Sequence, residues 1–391
     1  MNKWVLIITS LLAVPIKLLS AVYLKQPLPS NQSVAKTHET ILNLRPKTFD
    51  SYGSGVVDEE VMKGSMKLFQ GAIKGPESVH VLRNGSAIVL DRYGHVYVSE
   101  LDSSELKMFS YIGPGRPLGY TVVSHGGKSL LVVCNSLVGV EALDLESREL
   151  VILTSSVQEF GNVVPITYAN DIDVDEEEGI LYFSDSTTGI PPGLNRMNFY
   201  DTMKSYVLSS LSGKPTGKLL SYNLNTGVTE ILMKDLFFAN GVALSLEKDF
   251  VLVAETSFLR IQKYHLVGPK AGTSEVFIEN LPGYPDGITR GPDGNFYVAL
   301  LFCPTKRHLL MAKAPQSVRW LLSWVAPIYT PLPPKVGAVM KISPVGKVLR
   351  IYVDREGHTL YGISGLFFSK ETNKLYMGHL SHDFISVMQL P

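Results

Sequence analysis

The sequence predicts an all-β fold, a six-bladed β-propeller, on three observations. A short unit recurs six times along the 391 residues, and such self-similarity is typical of repeat architectures. Each copy contains two runs in which apolar residues alternate, separated by a turn with Gly or Asp, which indicates paired strands. Repeated strand units of this kind form a ring of blades, each a four-stranded sheet, around a central channel.

The clearest copy begins at Asn170, from which an alternating run leads through an acidic turn to a second run at Leu181. We call the first residue of each copy its opener. The openers, in chain order, are Glu77, Leu118, Asn170, Asn240, Asp286 and Ser364. If they begin the innermost strands, they lie at one height around the channel.

Four of the openers carry side-chain oxygen atoms suited to a metal ion. Two carboxylates and two amides match a hard cation that takes six to eight oxygen ligands, whereas zinc prefers the His and Cys that these positions lack. The sequence therefore predicts a Ca²⁺ site, whose ligands are Glu77, Asn170, Asn240 and Asp286. The alternative is that Asn-Asp, Asn-Gly and Asp-Gly pairs simply begin turns.

The repeats favour one large domain, although 391 residues could hold two domains by length alone. Lys plus Arg and Asp plus Glu each number 36, so net charge gives no reason to expect a nucleic-acid partner. The repeats predict a propeller over residues 71–391, preceded by a linker and ring-closing segment at 26–70. Within that segment, the Pro-bearing stretch Lys25 to Thr48 is expected to be a linker or stalk.

The N-terminus predicts entry into the secretory pathway. The apolar run Trp4 to Leu24 suits an N-terminal hydrophobic anchor helix or a cleaved signal peptide, assigned to residues 1–25. The first alternative makes the chain a single-pass membrane protein with a luminal or extracellular propeller, and the second makes it secreted. Glycosylation sequons at Asn31 and Asn84 are compatible with that compartment, although Asn84-Gly85 is also a hairpin signal.

Two insertions interrupt the repeats, at Ile190 to Gly217 and Cys303 to Gly337. The first has apolar residues at helical spacing between Asn195 and Leu211, and the second contains the Trp-rich stretch Val318 to Val325. Long loops on a rigid scaffold serve as lids or binding walls. The alternative is that their apolar stripes only pack on the propeller.

Several motifs together resemble one known family. Gly115-Arg116-Pro117-Leu118-Gly119, Ala239-Asn240-Gly241-Val242 and the stretch Leu281 to Asp286 are similar to the strictosidine-synthase-like family, in its adipocyte plasma membrane-associated protein branch. The resemblance covers about residues 70–391 and implies a six-bladed propeller related to paraoxonases and gluconolactonases. Relatives with lactonase or paraoxonase activity hold a catalytic calcium with a Glu, two Asn and an Asp at openers. The resemblance thus implies the same four ligands.

The chain also departs from that family at four positions. Strictosidine synthases use a glutamate at the last opener, where this chain has Ser364. The histidine pair of paraoxonases falls at Leu118 and near Ser136, so the pair is missing. Ser78 stands where the second calcium of paraoxonases has an Asp ligand, and no second ion is expected.

These considerations predict a calcium-dependent hydrolase of small-molecule esters or lactones, with arylesterase- or lactonase-like chemistry. Asp286 is the first candidate for a catalytic base or nucleophile and Asp171 the second. One alternative is a non-catalytic, calcium-stabilised binding or scaffold propeller. Another is a synthase-type lyase that condenses an amine with an aldehyde, which Ser364 disfavours because it replaces the proton acceptor.

Overall fold

The computed structural model describes Leu28 and residues 33–103, 105–325 and 334–391. The expected anchor or signal at residues 1–25 and the sequon at Asn31 lie outside the described residues. Among the helices that are described, none has the length and apolar character needed to cross a membrane.

The prediction of a six-bladed β-propeller is confirmed. Six sheets, each with four antiparallel strands and one with a fifth, parallel edge strand, follow one another along the chain, and the first strands of neighbouring blades contact one another in a closed ring. The first strands therefore form the inner wall of the channel. Each opener lies in the first strand of its blade or, for Glu77, just before it.

The first three blades follow the order of the chain. Blade one has strands Val79–Val81, Ser86–Leu90, His95–Glu100 and Lys107–Tyr111. Blade two has Pro117–His125, Lys128–Asn135, Gly139–Asp144 and Leu150–Thr154, and a hairpin of Ser156–Glu159 and Asn162–Pro165 follows it. Blade three has Ala169–Asp175, Ile180–Asp185, Gly217–Asn223 and Val228–Leu236. Asn84 lies at the exposed turn of the first hairpin, as its Asn-Gly pair predicts.

The last three blades complete the ring. Blade four has Ala239–Leu244, Phe250–Glu255, Arg260–His265 and Ser274–Ile278. Blade five has Pro285–Arg290, Phe296–Leu300, Gly337–Ile342 and Val348–Asp354. Blade six has Ile363–Ser369, Lys374–His379 and Ile385–Gln389, and its fourth strand comes from the other end of the chain.

The segment before the first opener closes the ring. Strand Met66–Leu68 pairs antiparallel with Ile385–Gln389 as the outermost strand of blade six. Upstream of it, Val57–Asp58 pairs in parallel with Val348–Asp354 at the edge of blade five. The ends of the ring are therefore joined by main-chain hydrogen bonds, and two blades gain their outermost strand from this segment.

Glycine after the opener allows the inner strands to approach one another. A Cβ on Gly241 would collide with the Asp286 carbonyl oxygen of the next blade, and one on Gly365 would collide with the Glu77 carbonyl oxygen. Gly119 and Gly287 occupy the same position in blades two and five and face the same obstruction. The repeated opener-Gly pair is thus a requirement of the narrow channel.

Apolar faces of adjacent blades pack against each other. In the largest buried cluster, Phe250 of blade four and Phe296 of blade five have ring centroids 5.9 Å apart. Phe296 is completely buried, so its replacement by Ala is expected to cost about 3–5 kcal/mol of folding free energy.

Four helices of the described chain stand outside the blades. They are α1 (Glu39–Asn43), α2 (Thr202–Ser212), α3 (Lys306–Ala312) and α4 (Gln316–Val325). The Asp201 side chain caps α2 by accepting a 2.9 Å hydrogen bond from the Lys204 N–H, and Gly213 ends the helix in a left-handed conformation. Short strands Gly193–Leu194 and Tyr200–Asp201 precede α2 and take up part of the predicted helical stretch.

The described part of the expected stalk lies on the propeller. Val34, Ile41 and Leu44 are buried, and the Ala35 N–H donates to the Ser212 carbonyl at the end of α2. Arg319 of α4 holds this contact, since its guanidinium donates to the carbonyls of Ala35, Leu211 and Ala314. Apolar side chains at intervals in a polar stretch thus mark a segment that packs, and residues 33–48 do not extend away from the domain.

Candidate metal centre and its cavity

Each opener of blades two to six lies at an irregularity of its sheet. Between the first and second strands, the pairing register shifts across the opener and the residue after it, for example between Ala169 and Ile172 and between Ala239 and Val242. The same shift recurs in blades two, five and six. A bulge of this kind turns a side chain away from the ordinary alternation of the strand, so it frees the opener from packing between blades.

The four predicted ligands lie around one small cavity on the channel axis. Its volume is about 30 Å³, and we call it the axial cavity. Glu77, Asn170, Asn240 and Asp286 all line it, and each is buried. Since one water needs roughly 10–15 Å³ by this measure, the axial cavity has room for an ion and little else.

The two predicted amide ligands, Asn170 and Asn240, are oriented in the same way, by a hydroxyl that accepts from the amide nitrogen and donates to a backbone carbonyl. We call this arrangement the hydroxyl relay. The Asn170 amide nitrogen donates to the Ser186 hydroxyl at 2.8 Å, and this hydroxyl donates to the Ala239 carbonyl. One blade further on, the Asn240 amide nitrogen donates to the Thr256 hydroxyl at 3.2 Å.

The second hydroxyl donates in turn to the carbonyl of Pro285, the residue before Asp286. Because both amide nitrogens are used as donors, the amide oxygens of Asn170 and Asn240 are the atoms left for a ligand. The relay also links each opener to the backbone just before the opener of the next blade.

The carboxylates are poorly compensated by the protein. Glu77 Oε2 is buried and accepts no hydrogen bond from the described residues, and burial raises the pKa of Glu77 to about 7. The pKa of Asp286 is raised well above its ordinary value by burial and then by Glu77, while a hydrogen bond from Asn240 opposes this shift. Two like charges in one desolvated site are unfavourable unless a cation joins them.

The donor set fits calcium on these grounds. It offers oxygen atoms only, an orphaned buried carboxylate oxygen, and space for a single ion. Among the described residues, no three His, Cys, Asp or Glu side chains form a metal-binding group, so the site depends on its two amides. That composition is unsuited to zinc.

Asp171 lies next to a predicted ligand but makes different contacts. One of its carboxylate oxygens accepts a 3.0 Å hydrogen bond from the Val242 N–H of blade four. Burial raises the pKa of Asp171 to about 7, and the Val242 and Ile172 N–H groups oppose that shift. Asp171 does not line the axial cavity, so its geometry suits a bridge between blades better than contact with a substrate.

Arg116 is the main feature of the site for which the sequence predicts no role. Only 3 % of it is exposed, and its Nη2 lies 3.4 Å from Glu77 Oε2. The guanidinium also donates to the Thr202 hydroxyl and to the carbonyls of Gly75 and Leu380. A buried cation therefore stands beside one of the two carboxylates.

The signal that identifies Arg116 is its place in the repeat. The residues two positions before the openers are Gly75, Arg116, Tyr168, Phe238, Tyr284 and Gly362. Tyr168 and Phe238 line the axial cavity, and Tyr284 lines the larger space next to it. These positions form a collar that is aromatic in three successive blades and cationic in blade two, where the opener itself is the apolar Leu118.

The axial cavity adjoins a larger one of about 560 Å³, which we call the outer cavity. Met203, Tyr206, Phe238 and Leu380 line both spaces. The walls of the outer cavity come from all four helices, including Ile41 of α1 and Met311 of α3. The described parts of both insertions and of the N-terminal segment thus form walls of a cavity over the axial one.

Three of the residues at which this chain departs from the resembled enzymes make structural contacts. Leu118 is buried in a cluster with Tyr168 and Phe238. The Ser136 hydroxyl accepts a hydrogen bond from the Arg116 N–H. Ser364 is fully buried and its hydroxyl donates to the Glu77 carbonyl, so it holds the backbone of a predicted ligand.

Fold and site together define a six-bladed propeller with an oxygen-lined axial pocket under an apolar cavity. The strictosidine synthase family profile matches residues 170–269. Protein STRICTOSIDINE SYNTHASE-LIKE 3 of Arabidopsis thaliana is 32 % identical over 282 residues, which are 71 % of this chain and 67 % of the relative. The chain belongs to the strictosidine synthase-like family.

Another relative carries a membrane-associated name. Adipocyte plasma membrane-associated protein Hemomucin of Drosophila melanogaster is 32 % identical over 258 residues, which are 63 % of this chain. The match spans only 42 % of the length of hemomucin.

Solved propellers share the fold at low identity. A gluconolactonase of Xanthomonas campestris superposes with a TM-score of 0.57 at 12 % identity, covering 93 % of this chain and 97 % of the other. Regucalcin of Agrobacterium tumefaciens, described as a calcium-binding protein, gives a TM-score of 0.54 at 12 % identity, covering 83 % and 93 %. At this identity the likeness concerns the architecture alone.

Proposed function

We propose that the chain is a calcium-dependent hydrolase of small-molecule esters or lactones. The observation that carries the proposal is the meeting of Glu77, Asn170, Asn240 and Asp286, from four separate blades, at one ion-sized cavity beneath a ligand-sized one. Neighbours of the same fold include a gluconolactonase and a calcium-binding regucalcin, which is consistent with this chemistry.

Calcium in the axial cavity would supply a Lewis acid that polarises a substrate carbonyl and stabilises the negative charge developing on its oxygen. Glu77 and Asp286 would hold the ion as ionised carboxylates, with the amide oxygens of Asn170 and Asn240 completing the protein ligands. The apolar walls of the outer cavity would keep water away from the axial cavity and so strengthen the electrostatic interactions of the proposed ligands.

Asp286 is the preferred residue for proton transfer. It lines the axial cavity, so its carboxylate borders the space beside the proposed ion where a base would act. Asp171 remains the second candidate, although its carboxylate is bonded to the Val242 N–H. Tyr168 in the collar donates its hydroxyl to the Thr202 carbonyl and so orients the wall beside the ligands.

We also propose that the protein works in the secretory pathway, held by its N-terminal segment as a membrane anchor or released after cleavage. The apolar run in residues 1–25 and the membrane-associated name of one relative support this location. Asn84 is exposed at a hairpin tip and is available for glycosylation there.

The test is the hydrolysis of phenyl acetate and of a simple lactone by the full-length chain, with added calcium and with chelator. The Asp286→Asn variant is expected to lose at least about 100-fold in kcat/KM, since it removes both a ligand charge and the base. Asp293→Asn serves as the matched control, because Asp293 is an exposed carboxylate of the same blade. Equal rates for the wild type and Asp286→Asn, or rates unaffected by chelator, would contradict the proposal.

A second candidate function is a binding propeller without catalysis. It is favoured by the ion pair between Arg116 and Glu77, which lets the protein keep one buried carboxylate without a metal. Calcium binding and calcium-dependent melting with no turnover of either substrate would favour this candidate. The condensing lyase is not proposed, because Ser364 is buried and engaged with the Glu77 carbonyl.

A further inference from the structure

Two guanidinium groups meet on one wall of the outer cavity, on either side of Gly75. Arg116 donates to the Gly75 carbonyl at 3.3 Å, and a Cβ on Gly75 would lie 3.2 Å from Arg92 Nε. Arg116 also donates to the Leu380 carbonyl, which borders Gly75 from the neighbouring blade six. Both arginines line the outer cavity, and Arg116 stands where that cavity meets the axial one.

The positive charge of this pair is only partly matched. Arg92 forms no ion pair with a described carboxylate and is held by the rings of Phe199 and Tyr93, with its Cζ 4.6 Å and 5.8 Å from their centroids. Arg116 has one carboxylate neighbour, Glu77, which is itself a proposed metal ligand. The Nε atoms of both arginines are buried and have no hydrogen-bond partner among the described residues.

Their proximity is unfavourable in the absence of an anion. Burial lowers the pKa of Arg92, and the charge of Arg116 lowers it further. An oxyanion between the two guanidinium groups would supply acceptors to their free N–H groups and relieve this repulsion.

The other charged or titratable groups around the outer cavity do not supply that anion. They are His38, Asp201, Tyr206, Lys214, Tyr284, His308 and Arg319. Asp201 is the one carboxylate among them, and its side chain caps α2 through the Lys204 N–H. The remaining wall is largely apolar, with Ile41, Phe237 and Phe302 as examples.

We propose that the outer cavity binds an amphipathic oxyanion, an apolar chain that ends in a carboxylate or phosphate, with its head between Arg92 and Arg116. The apolar body lies along the helical walls, and the head lies at the boundary with the axial cavity. A volume of about 560 Å³ is in the ordinary range of small-molecule sites.

The inference rests on the proposed function in one respect only, the charge that calcium would add. A bound divalent cation would offset the charges of Glu77 and Asp286, so it would leave the guanidinium charge of Arg116 without its carboxylate partner and strengthen the attraction for an anion. The arginine pair itself does not depend on catalysis.

Isothermal titration calorimetry on the full-length chain in lipid nanodiscs tests the inference, with empty nanodiscs as the blank. Octanoate is compared with octan-1-ol, which has the same chain without the charge, and with acetate, which has the charge without the chain. Octanoate is expected to bind about tenfold or more tightly than either, the effect of a hydrogen bond to a charged group and of apolar burial. Added calcium is expected to tighten octanoate binding.

Variants of Arg92 test where the anionic head group of the ligand binds. Arg92→Met keeps the apolar stem and is expected to abolish the preference for octanoate over octan-1-ol, whereas Arg92→Lys should retain part of it. Arg83→Met, at an exposed arginine of the same blade, is the matched control and should change nothing. Octyl phosphate as a fourth ligand shows which oxyanion is preferred, and tight binding of either head supports the proposal.

A wild type that binds neither octanoate nor octyl phosphate more tightly than octan-1-ol would overturn the proposal, and so would an undiminished preference for the anion in a folded Arg92→Met. Affinity for acetate equal to that for octanoate would also overturn it, because the chain would then contribute nothing. None of these readings requires turnover. A failed hydrolase therefore leaves the anion site standing, and a failed anion site leaves the hydrolase standing.

Discussion

The axial cavity and the outer cavity are built from different kinds of sequence. The axial cavity takes its ligands from equivalent positions of repeated blades, and the ring fixes their geometry. The outer cavity takes most of its apolar walls from two insertions and an N-terminal segment, which have no counterpart elsewhere in the repeat, whereas Arg92 and Arg116 belong to blades one and two. The proposed metal ligands are thus repeated positions, and the proposed apolar contacts of the ligand are not.

The two regions also differ in what stabilises them. The axial cavity combines buried charges with hydrogen bonds between neighbouring blades, so removing one group leaves another unsatisfied. The walls combine apolar side chains on short helices, where a substitution changes shape and area more than charge. Substitutions in the two regions are therefore expected to separate ion binding from ligand binding.

The largest effect is expected from Glu77→Gln. Loss of one ligand charge should weaken calcium binding on the order of 100-fold or more, since hard cations depend on carboxylates. The same change leaves Arg116 without its carboxylate neighbour, so octanoate binding in the absence of calcium should become tighter. Calorimetric titrations of both ligands measure this, and a parallel loss of both affinities would break the proposed separation.

Calcium affinity is expected to depend strongly on pH. The pKa of Glu77 is raised to about 7 in the folded protein, so at pH 5.5 only a small fraction is ionised. Affinity should rise roughly thirtyfold between pH 5.5 and pH 8, because the ligand must lose its proton before it binds the ion.

The metal-free protein should show the opposite trend. A carboxyl group whose pKa is higher when folded contributes its stability at low pH and loses it as the pH rises through about 7. Melting temperatures with chelator should therefore fall between pH 5 and pH 8, and calcium should reverse the fall. A calcium affinity that is independent of pH would contradict the ionised role of Glu77.

A smaller effect is expected from the hydroxyl relay. Thr256→Val keeps the shape but removes the acceptor that orients the Asn240 amide, and calcium affinity should fall about tenfold. Thr256→Ser retains the hydroxyl and should bind nearly as well as the wild type. If Val and Ser behave alike, the relay does not orient the ligand.

The smallest effect is expected in the walls. Met311→Ala removes apolar area from α3, so KM for an octanoyl ester should rise about threefold while KM for an acetyl ester and calcium affinity stay unchanged. Met108→Ala is the matched control, because Met108 is exposed on the outer strand of blade one. Equal rises in KM for both esters would show that this wall does not discriminate between acyl chains of different length.

The ligand positions could be predicted because they repeat. Glu77, Asn170, Asn240 and Asp286 occupy one position of a six-fold pattern, and symmetry converts a sequence position into a place on the axis. The glycines that follow four of the openers recur for the same reason, since at each of them a Cβ would collide with the next blade.

The walls could be predicted only in part, because their contacts join distant segments. The helical spacing of apolar residues between Asn195 and Leu211 predicts α2, but the helix begins only at Thr202, because a short hairpin that ends at Asp201 precedes it. Residues 33–48 look like a stalk in the sequence because the residues that bury them lie far along the chain, Leu208 of α2 beside Val34, and Phe237 and Phe258 beside Ile41. The role of Arg116 could not be predicted because its guanidinium donates to the carbonyls of Gly75 and Leu380, which are far away in the sequence.

Closure of the ring has a consequence for biosynthesis. Strand Met66–Leu68 can pair only after Ile385–Gln389 has been made, so it leaves the ribosome long before its partner exists. Until then Met66–Leu68 is a strand without its partner, and unpaired N–H and C=O groups of a strand are the feature that neighbouring nascent chains recruit into aggregates. The ring thus closes only after blade six has been made, and a chaperone that shields Met66–Leu68 would act while the blades are still being synthesised.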